Sequence, residues 1–254
     1  MSWCVSSAFA RTRNSPPCDK LLAPSRPAEL ERNTDLVPRP VAFGSACYRA
    51  LSRAGAGILR RPRLYLLSQA LMGAKRARRL CVEQYAGPRP RLRILDIGCG
   101  PGYVVEYFPD PIYVGFDVES KYIEYAENQY GNRGDFYCRP LDADAVTTLE
   151  PFDLVLMTGV IHHLNNSEAA DLLALSRRAL KDRGARLITL DPCYQRGQSR
   201  IARFLLDHDR GQHIRTEDAY VELASGIFPR VDSHVRHDLF YVPYTCIVMQ
   251  CGLR

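Results

Sequence analysis

The spacing of apolar and polar positions changes twice along the 254-residue chain. Residues 1–40 keep no sustained period and hold six of the seventeen prolines, which predicts a disordered tail. From about Val41 to Tyr85 the period becomes helical. Leu64, Leu67, Leu71 and Met72 fall three or four apart among Arg and Lys, with a break at Pro62 and a stop at Gly87–Pro88. From Arg91 onward short apolar runs alternate with helical stretches, the pattern of a parallel sheet wound with helices.

Within that last region the runs predict strands over 93–97, 113–116, 136–141, 152–157 and 186–190. The run at 152–157 is continuously apolar, as a strand buried on both faces requires. Residues 167–180 read as a helix, with Asn165 and Glu168 as its capping box and Gly184 placed to end it. The runs 231–240 and 245–251, split by a short Pro-containing turn, read as a hairpin at the sheet edge. The expected organisation is therefore a tail (1–40), a basic helical cap (41–88) and an α/β domain (89–254).

With 46% hydrophobic and 24% charged residues, the chain is not a largely disordered protein, a collagen-like repeat or a small disulfide scaffold. No stretch approaches the roughly 18 apolar residues that cross a bilayer. The nine cysteines are scattered without a C-x-x-C pair, which points to free thiols in a reducing, cytoplasmic setting and to no metal site. Residues 1–18 carry Arg11 and Arg13 but no acid, a composition shared by presequences and plain tails. Charge is uneven: residues 1–90 balance at +11 and residues 91–254 at −5. The basic arm suits an anionic partner or a solvated helix face. Trp3 is the single tryptophan and lies in the tail. No stacking platform for single-stranded nucleic acid therefore accompanies the arm, although a nucleic-acid partner stays open.

The chemistry-bearing stretch is Ile94-Leu95-Asp96-Ile97-Gly98-Cys99-Gly100-Pro101-Gly102, an apolar strand running into alternating glycines and a predicted helix. Such glycines allow a tight turn and a close approach of ligand to backbone. A second acid, Asp117, ends the next strand about 20 residues on, where a carboxylate can accept from two ribose hydroxyls.

At these residues the chain resembles the class I S-adenosylmethionine-dependent methyltransferases, over roughly Arg91 to the C-terminus. The glycines are spaced G-x-G-x-G rather than the dehydrogenase G-x-G-x-x-G. The stretch Thr158-Gly159-Val160-Ile161-His162-His163-Leu164 after the fourth strand is similar to the post-strand motif of quinone-biosynthesis methyltransferases. The resemblance implies a Rossmann-like, doubly wound, mostly parallel seven-stranded sheet with an antiparallel C-terminal hairpin. It implies that Gly98, Cys99, Gly100 and Gly102 hold the methionine moiety of S-adenosyl-L-methionine, and that Asp96 fixes the turn near its ammonium. Asp117 would bind the ribose and Val118 face the adenine, whose amino group would meet Asp142, with Asp144 as the alternative. Thr158 and Gly159 would lie beneath the sulfonium.

Methyl transfer from a sulfonium needs positioning and, for a hydroxyl acceptor, proton removal. His162 and His163 are the candidate bases. The polar cluster around 207–215 suggests a lid over a polar or anionic acceptor, with Tyr194, His213 and Arg215 as candidate substrate residues. The expected activity is methyl transfer to a small molecule at oxygen, by a monomer or homodimer. A methyltransferase of RNA or protein and a non-catalytic cofactor-binding protein are the alternatives. Asp191-Pro192-Cys193-Tyr194 follows the fifth strand, so it matches neither the D-P-P-Y motif of amino-group methyltransferases nor, without a second cysteine after the fourth strand, the cytosine-C5 enzymes.

Overall fold

The computed structural model describes residues 72–254. The predicted tail and the predicted helices up to residue 71, including the break at Pro62, lie outside the described residues.

The strands are β1 (Arg93–Ile97), β2 (Ile112–Asp117), β3 (Gly134–Cys138), β4 (Leu154–Thr158), β5 (Arg186–Tyr194), β6 (Arg215–Thr216), β7 (Arg230–Arg236) and β8 (Cys246–Gly252). They form one sheet in the order β3-β2-β1-β4-β5-β8-β7, with the two-residue β6 beside β5. Strands β1 to β5 run parallel, and β8 lies antiparallel between β5 and β7. This is the mostly parallel Rossmann-like sheet with an antiparallel C-terminal pair, and β6 makes an eighth strand beyond the seven expected. Strand order reverses at β1, where β2 leaves one side and β4 joins the other. That leaves a crevice at the carboxyl ends of the strands, the place where sheets of this kind bind ligands.

The helices are α1 (Ala74–Cys81), α2 (Ser120–Tyr130), α3 (Ala143–Thr148), α4 (Asn166–Ala179), α5 (Arg200–Asp207) and α6 (Glu217–Ser225). Alternation along β1 divides them into two layers. Leu95 and Ile97 face a layer with Ala145 of α3, Leu172 and Leu173 of α4, and Tyr220 of α6. Ile94 faces the other, with Ala77 and Cys81 of α1, Ile123 of α2 and Leu206 of α5. Each fully buried side chain of this size contributes roughly 1.5–3 kcal/mol of burial, so both faces of the central strands must be covered. The six cysteines among the described residues are unbridged, and all but Cys138 are buried. No described helix is long and apolar enough to cross a membrane.

Local departures from the expected elements have identifiable causes. The segment after the glycine turn is a five-residue 3-10 turn, Tyr103–Tyr107, not an α-helix. Val104 and Val105 are β-branched, and Phe108 is extended ahead of Pro109, as a residue before proline prefers. Gly184 does not end α4. The helix stops at Ala179 because Leu180 turns extended and bridges to Phe152, while Gly184 sits in a turn donating to the Asp182 carboxylate. Strand β5 continues past Leu190 to Tyr194 because β8 pairs with it as far as Pro192. Strand β3 starts at Gly134 and stops at Cys138, and β7 stops at Arg236, leaving residues 237–245 as a longer connection than the predicted tight turn.

The capping box does form. The Asn165 side chain accepts from the Glu168 N–H and the Glu168 carboxylate accepts from the Asn165 N–H. Replacing Asn165 with Ala should lower stability by about 1 kcal/mol. Urea unfolding checks this, with the midpoint falling and the slope unchanged.

Candidate active site

A cavity of about 980 Å3 opens at the carboxyl ends of β1, β2, β4 and β5. One half of its wall is largely backbone. After β1 the chain turns at Gly98 with φ +70°, and a Cβ there would meet Val160 Cγ2 at 2.5 Å. The carbonyl of Phe116 accepts from the N–H groups of both Gly98 (2.8 Å) and Cys99 (3.0 Å). The Asp117 carboxylate accepts from the Gly100 N–H at 2.8 Å with one oxygen and from the Glu119 N–H at 2.9 Å with the other. The acid at the end of β2 therefore ties the glycine turn to its neighbour strand while standing in the cavity wall with Val118. Burial raises its carboxyl above the usual carboxylate range, against the two N–H groups that lower it.

The residues expected to hold a cofactor divide into two groups. Gly98, Gly100, Asp117, Val118, Thr158 and Gly159 line the cavity together. Asp96, Cys99, Gly102 and Asp142 do not line it. Asp96 is completely buried beneath the turn, where the Tyr113 hydroxyl donates to it. Burial pushes its carboxyl up to about 7, with the Tyr113 hydroxyl and Arg78 pulling the other way. The Cys99 side chain packs onto Gly115, and Gly102 abuts Phe136 and Ala126. Asp142 caps α3, accepting from the Ala145 N–H at 2.7 Å, and the wall beside it is made by Arg139, Pro140 and Leu141. Asp144 is exposed in the first turn of α3.

The other half of the wall is built from side chains. His162 sits in a 3-10 turn after β4, buried, with Nδ1 donating to Asp191 Oδ1 at 2.8 Å and Nε2 in ion-pair range of Asp209 Oδ1 at 3.5 Å. Its backbone N–H also reaches Asp191 Oδ1, at 3.2 Å. Asp209 accepts in turn from the Tyr244 hydroxyl at 2.7 Å and the Gly211 N–H at 2.8 Å. Burial alone would lower the His162 pKa, but Asp191 and Asp209 together outweigh it and raise it to about 9. His163, whose ring lies 4.0 Å from that of His162, goes the other way. Burial and then the neighbouring imidazolium lower it to about 3.

These environments change the expected chemistry of the histidine pair. Held as an imidazolium between two carboxylates, His162 has no lone pair to receive a proton, so its geometry is that of a positioning residue. His163 is neutral and in the wall, but a weak base. Gly211 is packed so closely on His162 that a Cβ would fall 2.0 Å from the ring Cδ2.

None of the candidate substrate residues lines the cavity, although Arg215 and His213 touch one another. Tyr194 donates to Asp207 under the Arg203 guanidinium, outside the cavity wall. His213 donates its N–H to the His162 carbonyl. Arg215 donates to the carbonyls of Ile161, His213 and Leu164 and to Asn166 Oδ1, bracing the turn that carries the histidines. The wall instead recruits Asp191, Asp209 and Tyr244, and a group of tyrosines from the 3-10 turn and α2, Tyr103, Tyr122, Tyr125 and Tyr130. Asp209 lies inside the polar cluster marked in the sequence. The tyrosines, at positions 122, 125 and 130, fall on one helical face, but a stripe at that spacing reads equally well as core.

Residues 94–184 match the family model described as a methyltransferase domain. The match spans 91 of the 254 residues, and the glycine turn, Asp117 and both histidines lie within it. No curated protein sequence matches the chain. Among solved structures, the pyocyanin biosynthetic protein PhzM superposes with a TM-score of 0.59 at 17% identity, over 81% of this chain and 61% of its own. A SAM-dependent methyltransferase from Archaeoglobus fulgidus gives 0.56 at 15% identity, over 74% and 99%. The N,N-8-amino-8-demethyl-D-riboflavin dimethyltransferase RosA from Streptomyces davawensis gives 0.55 at 19%, over 81% and 67%. At these identities the likeness establishes the fold.

The raised pKa of His162 has a thermodynamic consequence. A group whose folded pKa lies above its unfolded value near 6.5 contributes stability that is complete below pH 6.5 and lost as pH rises through about 9. The urea midpoint should therefore fall between pH 7 and 9, with the raised Asp96 carboxyl, at about 7, adding to the fall at the lower end of that window. Ring-nitrogen NMR should show His162 still protonated at pH 8 and His163 neutral at pH 5. An unprotonated His162 at pH 8 would remove the ion pair from the account.

Proposed function

We propose that the protein transfers a methyl group from S-adenosyl-L-methionine to a small-molecule acceptor, at oxygen. The observation that carries this reading is the placement of the matched stretch: its glycine turn and Asp117 share one cavity with His162, Asp191 and Asp209. The residues present fit an adenosyl sulfonium. A Cβ at Gly100 would meet nothing within 4 Å, so the turn offers open backbone toward the cavity. Asp117 keeps acceptor capacity on both oxygens for ribose hydroxyls, since each oxygen receives one N–H. Val118 and Leu141 give an apolar wall for the adenine, and the acid expected at its amino group, Asp142, is occupied as a helix cap.

When bound, the cofactor would supply an activated methyl group on a good leaving group. The work left to this chain is positioning. Thr158 and Gly159 would support the sulfonium from the end of β4. The imidazolium of His162, fixed by Asp191 and Asp209, would hold the floor of the acceptor half rigid. Lys75, Ala77 and Arg78 of α1 line the cavity, which supports reading the described part of the basic segment, residues 72–88, as a cap on the cleft. PhzM and RosA, named for the biosynthesis of a small pigment and for a riboflavin derivative, support a small-molecule acceptor over a nucleic acid. The six cysteines among the described residues are unbridged, which is in keeping with a reducing compartment, taken here as the cytoplasm.

Calorimetry tests the cofactor assignment. The protein should bind S-adenosylmethionine and S-adenosylhomocysteine, and Asp117→Ala should weaken binding by about 1–3 kcal/mol, the scale of a lost hydrogen bond to a charged group. Labelled methyl incorporation into a cell extract, followed by mass identification of the product, tests the transfer. Binding of NAD in place of the sulfonium nucleoside would overturn the reading.

A further inference from the structure

The acceptor half of the cavity contains one unfinished interaction. Asp191 stands in the wall at the end of β5 and is 1% exposed. Its Oδ1 accepts twice from His162, from the ring Nδ1 and from the backbone N–H. Its Oδ2 is buried and has no hydrogen-bond partner among the described residues. A buried carboxylate oxygen without a donor is costly. Asp96 Oδ1 is in the same position among the described residues, but Asp96 does not line the cavity and Asp191 does. The nearby wall offers little relief, since Leu190, Pro192, Leu205 and Phe240 present apolar surface. Asp209, the other carboxylate of the trio, is already occupied by His162, Gly211 and Tyr244.

From this geometry we infer that Asp191 Oδ2 receives the hydrogen of the acceptor's hydroxyl group, and that the part of the acceptor seated there is neutral and largely apolar beside that hydroxyl. This inference rests on the methyltransferase reading for the word acceptor, but the binding event it names does not. Two carboxylates against one imidazolium leave the trio with a net negative charge, so at Oδ2 itself an anionic group would be repelled where a hydroxyl donor is welcomed. The cations Lys75, Arg78, Arg139 and Arg210 belong to the rest of the wall. His162 acts through Asp191: by occupying Oδ1 twice it leaves Oδ2 as the oxygen that meets the ligand.

The inference can be tested with probes that differ only in that hydrogen. The full-length protein is titrated with 4-ethylphenol, its methyl ether 4-ethylanisole, and 4-ethylbenzoate, by ligand-observed NMR, with and without S-adenosylhomocysteine. The phenol should bind about tenfold or more tightly than the ether, the scale of a hydrogen bond to a charged acceptor, and the benzoate should bind more weakly than the phenol. In Asp191→Asn the amide oxygen would stay with the two His162 donors, turning the NH2 toward the cavity. The variant should then lose the preference for phenol and favour the ether, which accepts but cannot donate. Equal affinity of phenol and ether for the native protein, no detectable phenol binding, or a phenol preference that survives Asp191→Asn would each overturn the inference. Calorimetry with S-adenosylhomocysteine on the same samples separates the two readings. Lost S-adenosylhomocysteine binding with intact probe discrimination removes the methyltransferase reading alone, whereas intact S-adenosylhomocysteine binding with no discrimination removes the role of Asp191 alone.

Discussion

The imidazolium of His162 between Asp191 and Asp209 is the interaction on which the site's architecture depends. It joins three chain segments that no local pattern connects: the turn after β4, the end of β5 and the connection after α5. Ion groups this deep gain stability only when geometry and further hydrogen bonds offset the loss of water. Asp209 receives the Tyr244 hydroxyl and the Gly211 N–H, and one oxygen of Asp191 receives two contacts from His162, while the other oxygen of Asp191 is left without a partner among the described residues. Removing either partner would leave a buried charge, which is why the three segments hold together.

The two halves of the cavity use different materials for different reasons. Around the glycine turn the contacts are backbone N–H and carbonyl groups, set by β-strand register and by Asp117, and they present a surface that depends little on side-chain identity. Around His162 they are side chains with charges of both signs, where one substitution changes what the wall offers. A common cofactor suits the first kind of surface and a particular acceptor the second. Arg215 illustrates the division of labour. Its guanidinium touches no cavity, yet its bonds to three carbonyls and Asn166 hold the turn that aims the histidines.

Charge follows the same logic. Burial and neighbours push His162 and His163 to opposite sides of neutrality, although they are adjacent in sequence and their rings touch. The difference comes entirely from which residues surround each ring. His162 meets two carboxylates, whereas His163 meets mainly the positive charge of its neighbour.

Strand identities, the parallel core, the C-terminal antiparallel pair, the capping box at Asn165 and the pairing of the glycine turn with Asp117 were all legible in the sequence. They rest on local period, glycine placement and short-range hydrogen bonding, which act within a few residues. The misplaced details were those decided by neighbours distant in sequence. Gly184 lost its capping role because Leu180 bridged to Phe152. The turn after Gly102 stayed 3-10 because two valines and Pro109 outweighed the helical pattern. Asp142 turned to cap α3, and Tyr194, His213 and Arg215 turned to brace loops. Only the packed sheet could bring Asp191 and Asp209 to His162, because a histidine's partners lie in space rather than along the chain, and those partners determine whether it carries a proton.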